Sequence, residues 1–348
     1  MVEAWFAIIA TMLTLYVVLD GFDLGAGLLH LVVARRDAER RQVLAAIGPY
    51  WDGNEVWLIA SAGALLVAFP RAMAVGLSGF YFAIFLVLWC LTLRGISIEF
   101  RGHVRDPLWR RFWDTAWCVA SGLLAWFFGV ALGNLIRGLP LHPDGWFGLE
   151  LFTDFTARSP VAILDWYTVA VGVFAVATLS LHGANYLWWH TAGEVSERSR
   201  AAARPLAAAV LVSWPLVTWA TVVVNPEWFA GFAHRPLAWL GFAAALAGTA
   251  AVALGLARRR ALVAFLGSAA LIAGLLSATA ACMFPVMLKA VPDASRSLTV
   301  YAASNDPAGL RAALAWWWIG FPLALAYVIV LFRLHREKIV PTEDSEGY

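Results

Sequence analysis

The fold of this chain is first indicated by residues 48–69, which read GPYWDGNEVWLIASAGALLVAF. The apolar run in the second half predicts a helix that enters a membrane, since a bilayer-spanning helix needs about 20 predominantly apolar residues. Asp52 and Glu55 stand at the start of this helix. Charged side chains at membrane depth are costly and usually serve a function. The meaning of these two acids therefore depends on whether the rest of the chain is also built for a membrane.

The composition indicates an all-α polytopic membrane protein. Hydrophobic residues make up 61% of the 348 residues and charged residues only 14%, against about 25% in soluble domains. The 19 tryptophans favour membrane interfaces. A net charge of +2 argues against nucleic acid as a partner. The three cysteines show no CxxC spacing, so we expect neither a disulfide framework nor a zinc site.

About nine apolar segments predict transmembrane helices within a single integral membrane domain. The second segment is short, and we expect its helix to extend back to Trp51. We interpret the chain as a four-helix half within 1–140, a second within 160–290, a ninth helix at 310–334 and a cytoplasmic tail at 335–348. The nine segments are Ala4–Val33, Glu55–Phe69, Ser78–Phe100, Trp113–Ile136, Pro160–Trp188, Pro205–Val224, Pro236–Ala257, Ala261–Val286 and Leu310–Leu334.

The distribution of arginine and lysine predicts the orientation, because cytoplasmic loops carry an excess of these residues. One set of alternate loops, together with the C-terminal tail, contains most of them. We therefore expect the N-terminus outside the cell and the C-terminus in the cytoplasm. The richer set comprises Arg35, Arg36, Arg40, Arg41, Arg101, Arg105, Arg110, Arg111, Arg198, Arg200, Arg204, Arg258, Arg259, Arg260, Arg333, Arg336 and Lys338.

A weak internal repeat relates the first predicted helix to the fifth. At an offset of 162 residues, Asp20 corresponds to His182 and Asp23 corresponds to Asn185. Two related halves followed by a ninth helix would explain this similarity. Chance resemblance of short motifs rich in small residues would explain it equally well.

The charged residues of the first three predicted helices should lie in one layer near the cytoplasmic face. Asp20 and Asp23, for example, lie about 24–29 Å from the outer end of the first helix at 1.5 Å per residue. Because ionisable side chains within a membrane face the bundle interior, we expect the whole layer to point inward. The layer comprises Asp20, Asp23, Asp52, Glu55, Arg94 and Glu99.

Two interpretations of this layer remain open. In the first, Asp20, Asp23, Asp52 and Glu55 form a proton path that opens to the cytoplasm, for which partly shielded carboxylates are suited. In the second, a carboxylate forms a structural ion pair with Arg94, and the acids at the start of the second helix are stabilised by the helix dipole. The excess of acids over one arginine favours the proton path.

Two intramembrane histidines are candidate ligands. His182 could bind a haem or a metal, but a lone intramembrane histidine is more often a hydrogen-bonded packing residue, and the same holds for His30. The chain contains no CxxCH haem-attachment motif and no phosphate-binding loop. We therefore predict that this chain alone binds no haem and no metal, and no motif assigns a cofactor-binding residue.

Several longer motifs resemble subunit II of the cytochrome bd-type quinol oxidases. The similarity extends over nearly the whole chain and is most specific in the first hundred residues. In its compact length and in having an acid at Glu55, the chain is similar to members of the cyanide-insensitive branch of the family. The motifs are WDGNEVWL at Trp51–Leu58, GFDLGAG at Gly21–Gly27, LSGFYFAIFLVLWCLTLRGISIEFR at Leu77–Arg101, GNLIRGLP at Gly133–Pro140 and MFP at Met283–Pro285.

The resemblance implies an obligate partner, the haem-bearing subunit I, in the bacterial inner membrane. In that family subunit I carries two b-type haems and one d-type haem, oxidises quinol and reduces oxygen to water with protons from the cytoplasm. Subunit II stabilises the complex and contributes to a proton path. By motif, Asp23, Asp52, Trp51 and Arg94 match positions associated with that path or with assembly. A quinone in this subunit and a small third subunit are further possibilities.

Two other classes of function are alternatives to an oxidase subunit. A proton-coupled secondary transporter would also use intramembrane acids, but near the midplane and without an obligate partner. A purely structural assembly subunit would use Asp52 only to pair with Arg94. Oxygen consumption by the co-expressed complex and by the isolated chain would distinguish the three classes.

Overall fold

The computed structural model describes residues 1–158 and 160–340, so the last residues of the predicted tail, 341–348, lie outside the described part. This part contains thirteen α-helices. A short antiparallel sheet pairs β1 (Val286–Leu288) with β2 (Leu298–Thr299), and a 3₁₀ helix at Ala294–Arg296 lies between them. The helices α1 to α13 are Val2–Val33, Asp37–Ile47, Trp51–Ala68, Pro70–Gly79, Tyr81–Phe100, Pro107–Arg137, Trp166–His190, Gly193–Val224, Pro226–Phe232, Pro236–Ala257, Ala261–Met283, Val300–Ala303 and Pro307–Leu334.

Eight of the described helices are long and apolar enough to cross a membrane, which confirms the all-α polytopic class. They are α1, α5, α6, α7, α8, α10, α11 and α13. The helix α3 begins at Trp51, as predicted, and has 18 residues, but it carries Asp52 and Glu55 and is not among the eight. The count of nine spans and the orientation in the membrane remain predictions.

Three aspartates set the starts of long helices by accepting hydrogen bonds from first-turn backbone N–H groups. Asp106 caps α6, Asp165 caps α7 and Asp306 caps α13. Side-chain capping of this kind satisfies N–H groups that have no partner inside the helix. The fifth predicted segment therefore begins as a helix at Trp166, and the predicted start at Pro160 is wrong.

The helix α8 also differs from its prediction. It begins at Gly193 and continues through Pro205 and Pro215, whereas the apolar pattern predicts a start at Pro205. Proline removes one backbone donor and usually ends or bends a helix. Here the polar first turns of α8 extend the helix beyond its apolar segment.

The bundle is organised around α7. All residues from 178 to 188 of this helix are buried, because α1, α6, α8 and α11 pack on its sides. The helices α1 and α7 cross where Gly25 meets Gly183, and a Cβ atom on Gly25 would lie 2.1 Å from the carbonyl oxygen of Leu179. Only glycine permits this approach. By contrast, Leu310 is the only buried residue among those described in α13, so this helix lies at the periphery.

The loops lie at two opposite ends of the bundle. The arginine-rich end comprises α2, the α5–α6 turn, the start of α8 and residues 335–340. The Gln42 amide joins these parts by donating to the carbonyl oxygens of Ala192 at 3.0 Å and Ile339 at 2.7 Å. At the other end, the backbone N–H of Leu139 donates to the carbonyl of Lys289 at 2.8 Å, which joins the α6–α7 loop to the small sheet.

Candidate functional site

One face of α1 carries the candidate site. In the first half of α1 the buried residues recur at spacings of three and four, which places them on a single stripe, and this stripe continues into the second half, where α1 is buried on nearly every side. The first part of this stripe is apolar, and the part nearer the arginine-rich end contains polar and ionisable side chains together with one glycine. In chain order the stripe comprises Trp5, Ile9, Met12, Tyr16, Asp20, Asp23, Gly27 and His30.

Asp20 forms a buried two-point ion pair with Arg94 of α5. The Arg94 guanidinium donates to the two carboxylate oxygens at 2.8 and 2.5 Å, and both side chains have no exposed surface. Arg94 also lies 3.2 Å from Oε1 of Glu55, whose side chain is 22% exposed. The arginine thus joins α1, α3 and α5. Two of the predicted acids share one cation.

Asp23 is fully buried and lies beside Asn54 of α3. The Asn54 amide donates to Asp23 Oδ2 at 2.7 Å and to the carbonyl oxygen of Leu19 at 3.2 Å. Asn54 is not among the residues predicted from the sequence, although it stands inside the quoted motif, one residue before Glu55. We call Asp20, Asp23, Glu55, Arg94 and Asn54 the buried acid cluster.

The other predicted site residues, Asp52, Glu99 and Trp51, lie outside the buried acid cluster. Asp52 is exposed, and the described structure has no ion pair between Asp52 and Arg94. It lines a cavity of about 470 Å³ between α3 and α13, together with Trp57, Trp317 and Tyr327. The expectation that Asp52 faces the interior is therefore wrong, whereas its predicted place at the mouth of α3 fits this cavity.

Glu99 and Trp51 flank the cluster on the side of α5. Glu99 is exposed, so the prediction that it faces the interior is wrong. It lies five positions after Arg94, which turns its side chain about 140° around the helix axis. Trp51 is half-buried and lies 3.5 Å from the position that a Cβ atom on Gly95 would occupy. Its ring thereby packs the start of α3 against α5 beside Arg94.

A second charged group lies at the arginine-rich end. Asp114 of α6 is buried and accepts hydrogen bonds on both oxygens, from His30 at 2.7 Å, Arg101 at 2.6 Å and Arg40 at 2.9 Å. Asp37 accepts from the arginines at positions 41, 101 and 110. We call this group the arginine network. Its members are His30, Asp37, Arg40, Arg41, Arg101, Arg110 and Asp114.

Two acids of α2 lie outside the spanning helices, and arginines lower their pKa values. The Arg198 guanidinium holds the pKa of Glu39 well below its ordinary value, with burial acting in the opposite direction. Burial alone would raise the pKa of Asp37, but hydrogen bonds and charge from Arg101 and its neighbours lower it overall. Both acids therefore remain ionised and bound to arginine at physiological pH.

His182 has no free ring nitrogen in the described structure. Its Nδ1 is 2.8 Å from Ser268 Oγ and its Nε2 is 2.9 Å from the carbonyl oxygen of Val18. These bonds favour the packing interpretation over ligation of a haem or a metal. Within the described residues, no group of three or more histidine, cysteine or acidic side chains could hold a metal ion.

The fold and this site define a class, that of multi-pass membrane proteins whose helices enclose an internal group of ionisable side chains. The chain belongs to the cytochrome bd terminal oxidase subunit II family, whose model matches residues 1–335. The resemblance noted in the sequence is thereby confirmed. The chain is a subunit of a bd-type oxidase, an oxidoreductase complex with a partner subunit I, and lies in the bacterial inner membrane.

Relatives and a solved structure agree over nearly the full length. A probable cytochrome oxidase subunit 2 of Haemophilus influenzae is 30% identical and covers 93% of this chain and 91% of its own. Subunit 2 of the cytochrome bd-I ubiquinol oxidase of Escherichia coli K12 is 29% identical, with 94% and 91% covered. A chain of the bd oxidase from Geobacillus thermodenitrificans has the same fold, with a TM-score of 0.74, 17% identity and 96% and 98% covered.

Proposed function

We propose that this chain is the non-haem subunit II of a quinol:oxygen oxidoreductase. It stabilises subunit I, which carries the two b-type haems and one d-type haem, and it supplies part of the path by which cytoplasmic protons reach the site of oxygen reduction. Quinol is the electron donor of the complex. A bound quinone in this chain and a small third subunit are not part of the proposal.

The observation that carries the proton path is the composition of the buried acid cluster. It contains three carboxyl groups, those of Asp20, Asp23 and Glu55, and one guanidinium, that of Arg94, which contacts Asp20 and Glu55. An uncompensated buried carboxylate is strongly unfavourable, so the cluster favours taking up a proton. Asp20 and Arg94 compensate each other, which leaves Asp23 and Glu55 as the groups that exchange protons.

The entrance of the path is assigned to Asp52 and Glu55. Asp52 is exposed at the start of α3, Glu55 lies one helical turn further with 22% of its side chain exposed, and Asp23 is fully enclosed. Exposure thus falls along the order Asp52, Glu55, Asp23. With the arginine-rich end in the cytoplasm, protons would enter there in this order and leave towards subunit I.

Replacement of Asp23 by asparagine tests this function in the co-expressed complex. The amide keeps the shape and the neutral form of a protonated acid but cannot exchange protons. We expect normal haem content with slowed quinol-driven oxygen consumption. Full turnover in the Asp23→Asn complex would exclude a proton role for this residue.

Asp52 is tested with two variants, because it could act through its proton or through packing. A relay role predicts an assembled but slow complex for Asp52→Asn. A packing role predicts that the Asn variant is tolerated, while Asp52→Leu lowers the amount of complex. Haem content and oxygen consumption measured on both variants distinguish the two roles.

A purely structural assembly role is the second candidate, and the Asp20–Arg94 pair favours it. This pair is fully buried, has two-point geometry and joins two helices, so it stabilises their packing without any proton exchange. If this were the whole function, every neutral replacement in the cluster would change the amount of complex and none would change turnover per haem. The isolated chain should show no haem absorbance in either case.

A further inference from the structure

The buried acid cluster contains more polar atoms than its own hydrogen bonds satisfy. Four buried atoms around it make no hydrogen bond in the described structure: Tyr16 Oη, Asp23 Oδ1, Glu55 Oε1 and Arg94 Nε. The contact of Glu55 with Arg94 is an ion pair that lacks hydrogen-bond geometry. Buried polar atoms are nearly always paired with protein or with ordered water. Four such atoms in one place supply the two to four partners that a buried water molecule needs.

Tyr16 is the member of this group that the proposed path does not yet use. It lies four residues before Asp20 on the buried stripe of α1, about 6 Å further from the arginine-rich end. Its side chain is buried, and the charges of Asp20, Arg94 and Glu55 all act on its hydroxyl. The hydroxyl therefore lies close to Asp20, although no hydrogen bond of standard geometry joins the two side chains.

The surroundings on the other side of Tyr16 are apolar. Its ring packs edge-on against Phe128 with centroids 5.7 Å apart, and Met12 and Trp57 belong to the same hydrophobic group. The next residues of the stripe towards the N-terminus, Met12 and Ile9, carry no ionisable group. Tyr16 is thus the last proton-exchanging side chain on the stripe, at the boundary between its polar and its apolar part.

We propose that Tyr16 is the innermost proton-relay residue of this chain, joined to Asp20 and Asp23 by buried water. This inference rests on the proposed proton path and extends it by one helical turn. A tyrosine placed only for packing would not need its hydroxyl, since phenylalanine makes the same edge-on contact with Phe128. A buried hydroxyl without a hydrogen bond, one helical turn from Asp20, is what a packing role leaves unexplained.

The relay step conserves charge on the tyrosine. The protonated carboxyl group of Asp23 gives its proton to a buried water molecule, and that water passes one of its own protons to the hydroxyl oxygen. The original O–H bond of the tyrosine breaks as its proton passes to a water molecule that hands a proton on towards subunit I. One O–H bond forms and one breaks, so no phenolate accumulates. Rotation of the hydroxyl then restores the first orientation.

The test is Tyr16→Phe in the co-expressed complex, with haem content, quinol-driven oxygen consumption and its solvent isotope effect in D₂O as readouts. We expect unchanged haem content and oxygen consumption lowered about tenfold, less than the 10²–10⁴ of direct acid–base catalysis because water can bypass a missing hydroxyl. The isotope effect should rise, since proton delivery becomes slower than the chemical steps. A structural role would not move this ratio.

Tyr167→Phe is the matched control. Tyr167 is equally buried, but it lies in α7 and its hydroxyl is 2.9 Å from Thr221 Oγ1, away from the acid cluster. Its replacement should leave the isotope effect unchanged. Normal turnover of Tyr16→Phe alongside a slow Asp23→Asn complex would overturn the role of Tyr16 and retain the path. Loss of haem-containing complex in Tyr16→Phe would also overturn it, because the hydroxyl would then be structural, and normal turnover of both variants would remove the path itself.

Discussion

The buried acid cluster and the arginine network use the same residue types and differ in their balance. In the cluster, three carboxyl groups accompany one guanidinium, which contacts two of them, and the carboxylate oxygens Asp23 Oδ1 and Glu55 Oε1 have no hydrogen bond. In the network, the two carboxylates of Asp114 and Asp37 accept from four arginines and one histidine, and all four carboxylate oxygens are bonded.

This difference indicates that the two groups have different roles. A carboxylate whose oxygens are both bonded to arginine has no reason to take up a proton, because protonation would break charge-assisted hydrogen bonds. The network therefore acts as a fixed tie between α1, α2, α5 and α6. The cluster has both an excess of acid and carboxylate oxygens without a hydrogen bond, whereas the unsatisfied atoms of the network are nitrogens, so protonation is favourable in the cluster. Buried acids occur in both groups. What distinguishes the structural group from the candidate relay is that each of its carboxylate oxygens already accepts a hydrogen bond from a basic side chain.

The largest effect is expected from Arg94→Leu, which removes the single cation of the cluster. Asp20 would remain buried without its partner, at a cost of about 3–5 kcal/mol for a broken buried pair. We expect haem-containing complex to be lost from membranes. Arg94→Lys is the control, since it keeps the charge but not the two-point geometry, and should retain part of the complex. A normal yield of the Leu variant would show that Asp20 reaches water.

Asp114→Asn tests the arginine network by removing its central carboxylate. It leaves Arg40 without a carboxylate and leaves Arg101 with Asp37 alone, and the loss of hydrogen bonds to charged groups should cost about 2–3 kcal/mol of stability. We expect a lower melting temperature of the complex and unchanged turnover per haem. Asp37→Asn, at a site 39% exposed, should cost less. Slowed turnover per haem in Asp114→Asn would place the network in the path and remove the distinction drawn above.

Asn54→Leu separates positioning from assembly inside the cluster. It deprives Asp23 of its hydrogen-bond donor, which costs about 1–2 kcal/mol for a buried acceptor left unsatisfied. We expect assembled complex with slower oxygen consumption, because the carboxyl group is no longer held in one orientation. The control is Asn185→Leu, which removes a buried amide of α7 that donates to the carbonyl oxygen of Ala264. Equal turnover in the two variants would contradict a positioning role for Asn54.

Much of the fold and part of the site follow from the sequence alone. Hydropathy identifies the spanning helices, and depth along each helix predicts that Asp20, Asp23, Glu55 and Arg94 share a layer, as the structure has them. Which side chains of this layer face inward depends on the rotation of each helix about its axis. Depth along the helix carries no information on that rotation, so the prediction that Glu99 faces inward is wrong and its side chain is exposed.

The residues that the sequence analysis missed owe their roles to contacts between distant helices. Asn54 and Tyr16 are ordinary members of their own helices until α1 packs against α3 and α5. Asp114 shows the same dependence, since its bonds come from α1, α2 and the end of α5, up to 84 positions away in sequence. The one feature of the sequence that pointed to Tyr16 is its position four residues before Asp20, which places both side chains on the same face of α1.

The smallest expected effect comes from Glu39, a saturated acid at the arginine-rich end. It accepts hydrogen bonds from the Arg198 guanidinium at 2.8 and 3.0 Å and from the backbone N–H groups of Arg35 and Arg36. Because Arg198 holds its pKa below the ordinary value of 4.5, folding favours the ionised form. The resulting stabilisation is fully present above pH 4.5 and is lost as the pH falls through the lowered pKa of the folded state.

Glu39→Gln should therefore lower the melting temperature of the complex at neutral pH by an amount corresponding to about 1 kcal/mol, since its partner arginines are partly exposed. The difference from the unmodified complex should shrink as the pH falls below 4.5, because the unfolded state then takes up a proton at Glu39 and ionisation favours folding less. Turnover per haem should not change at any pH in this range. Glu194→Gln, an exposed acid 3.8 Å from the same arginine, is the matched control and should show no pH-dependent difference. A melting difference that stays constant with pH would mean that Glu39 stabilises the end of the bundle through shape and not through charge.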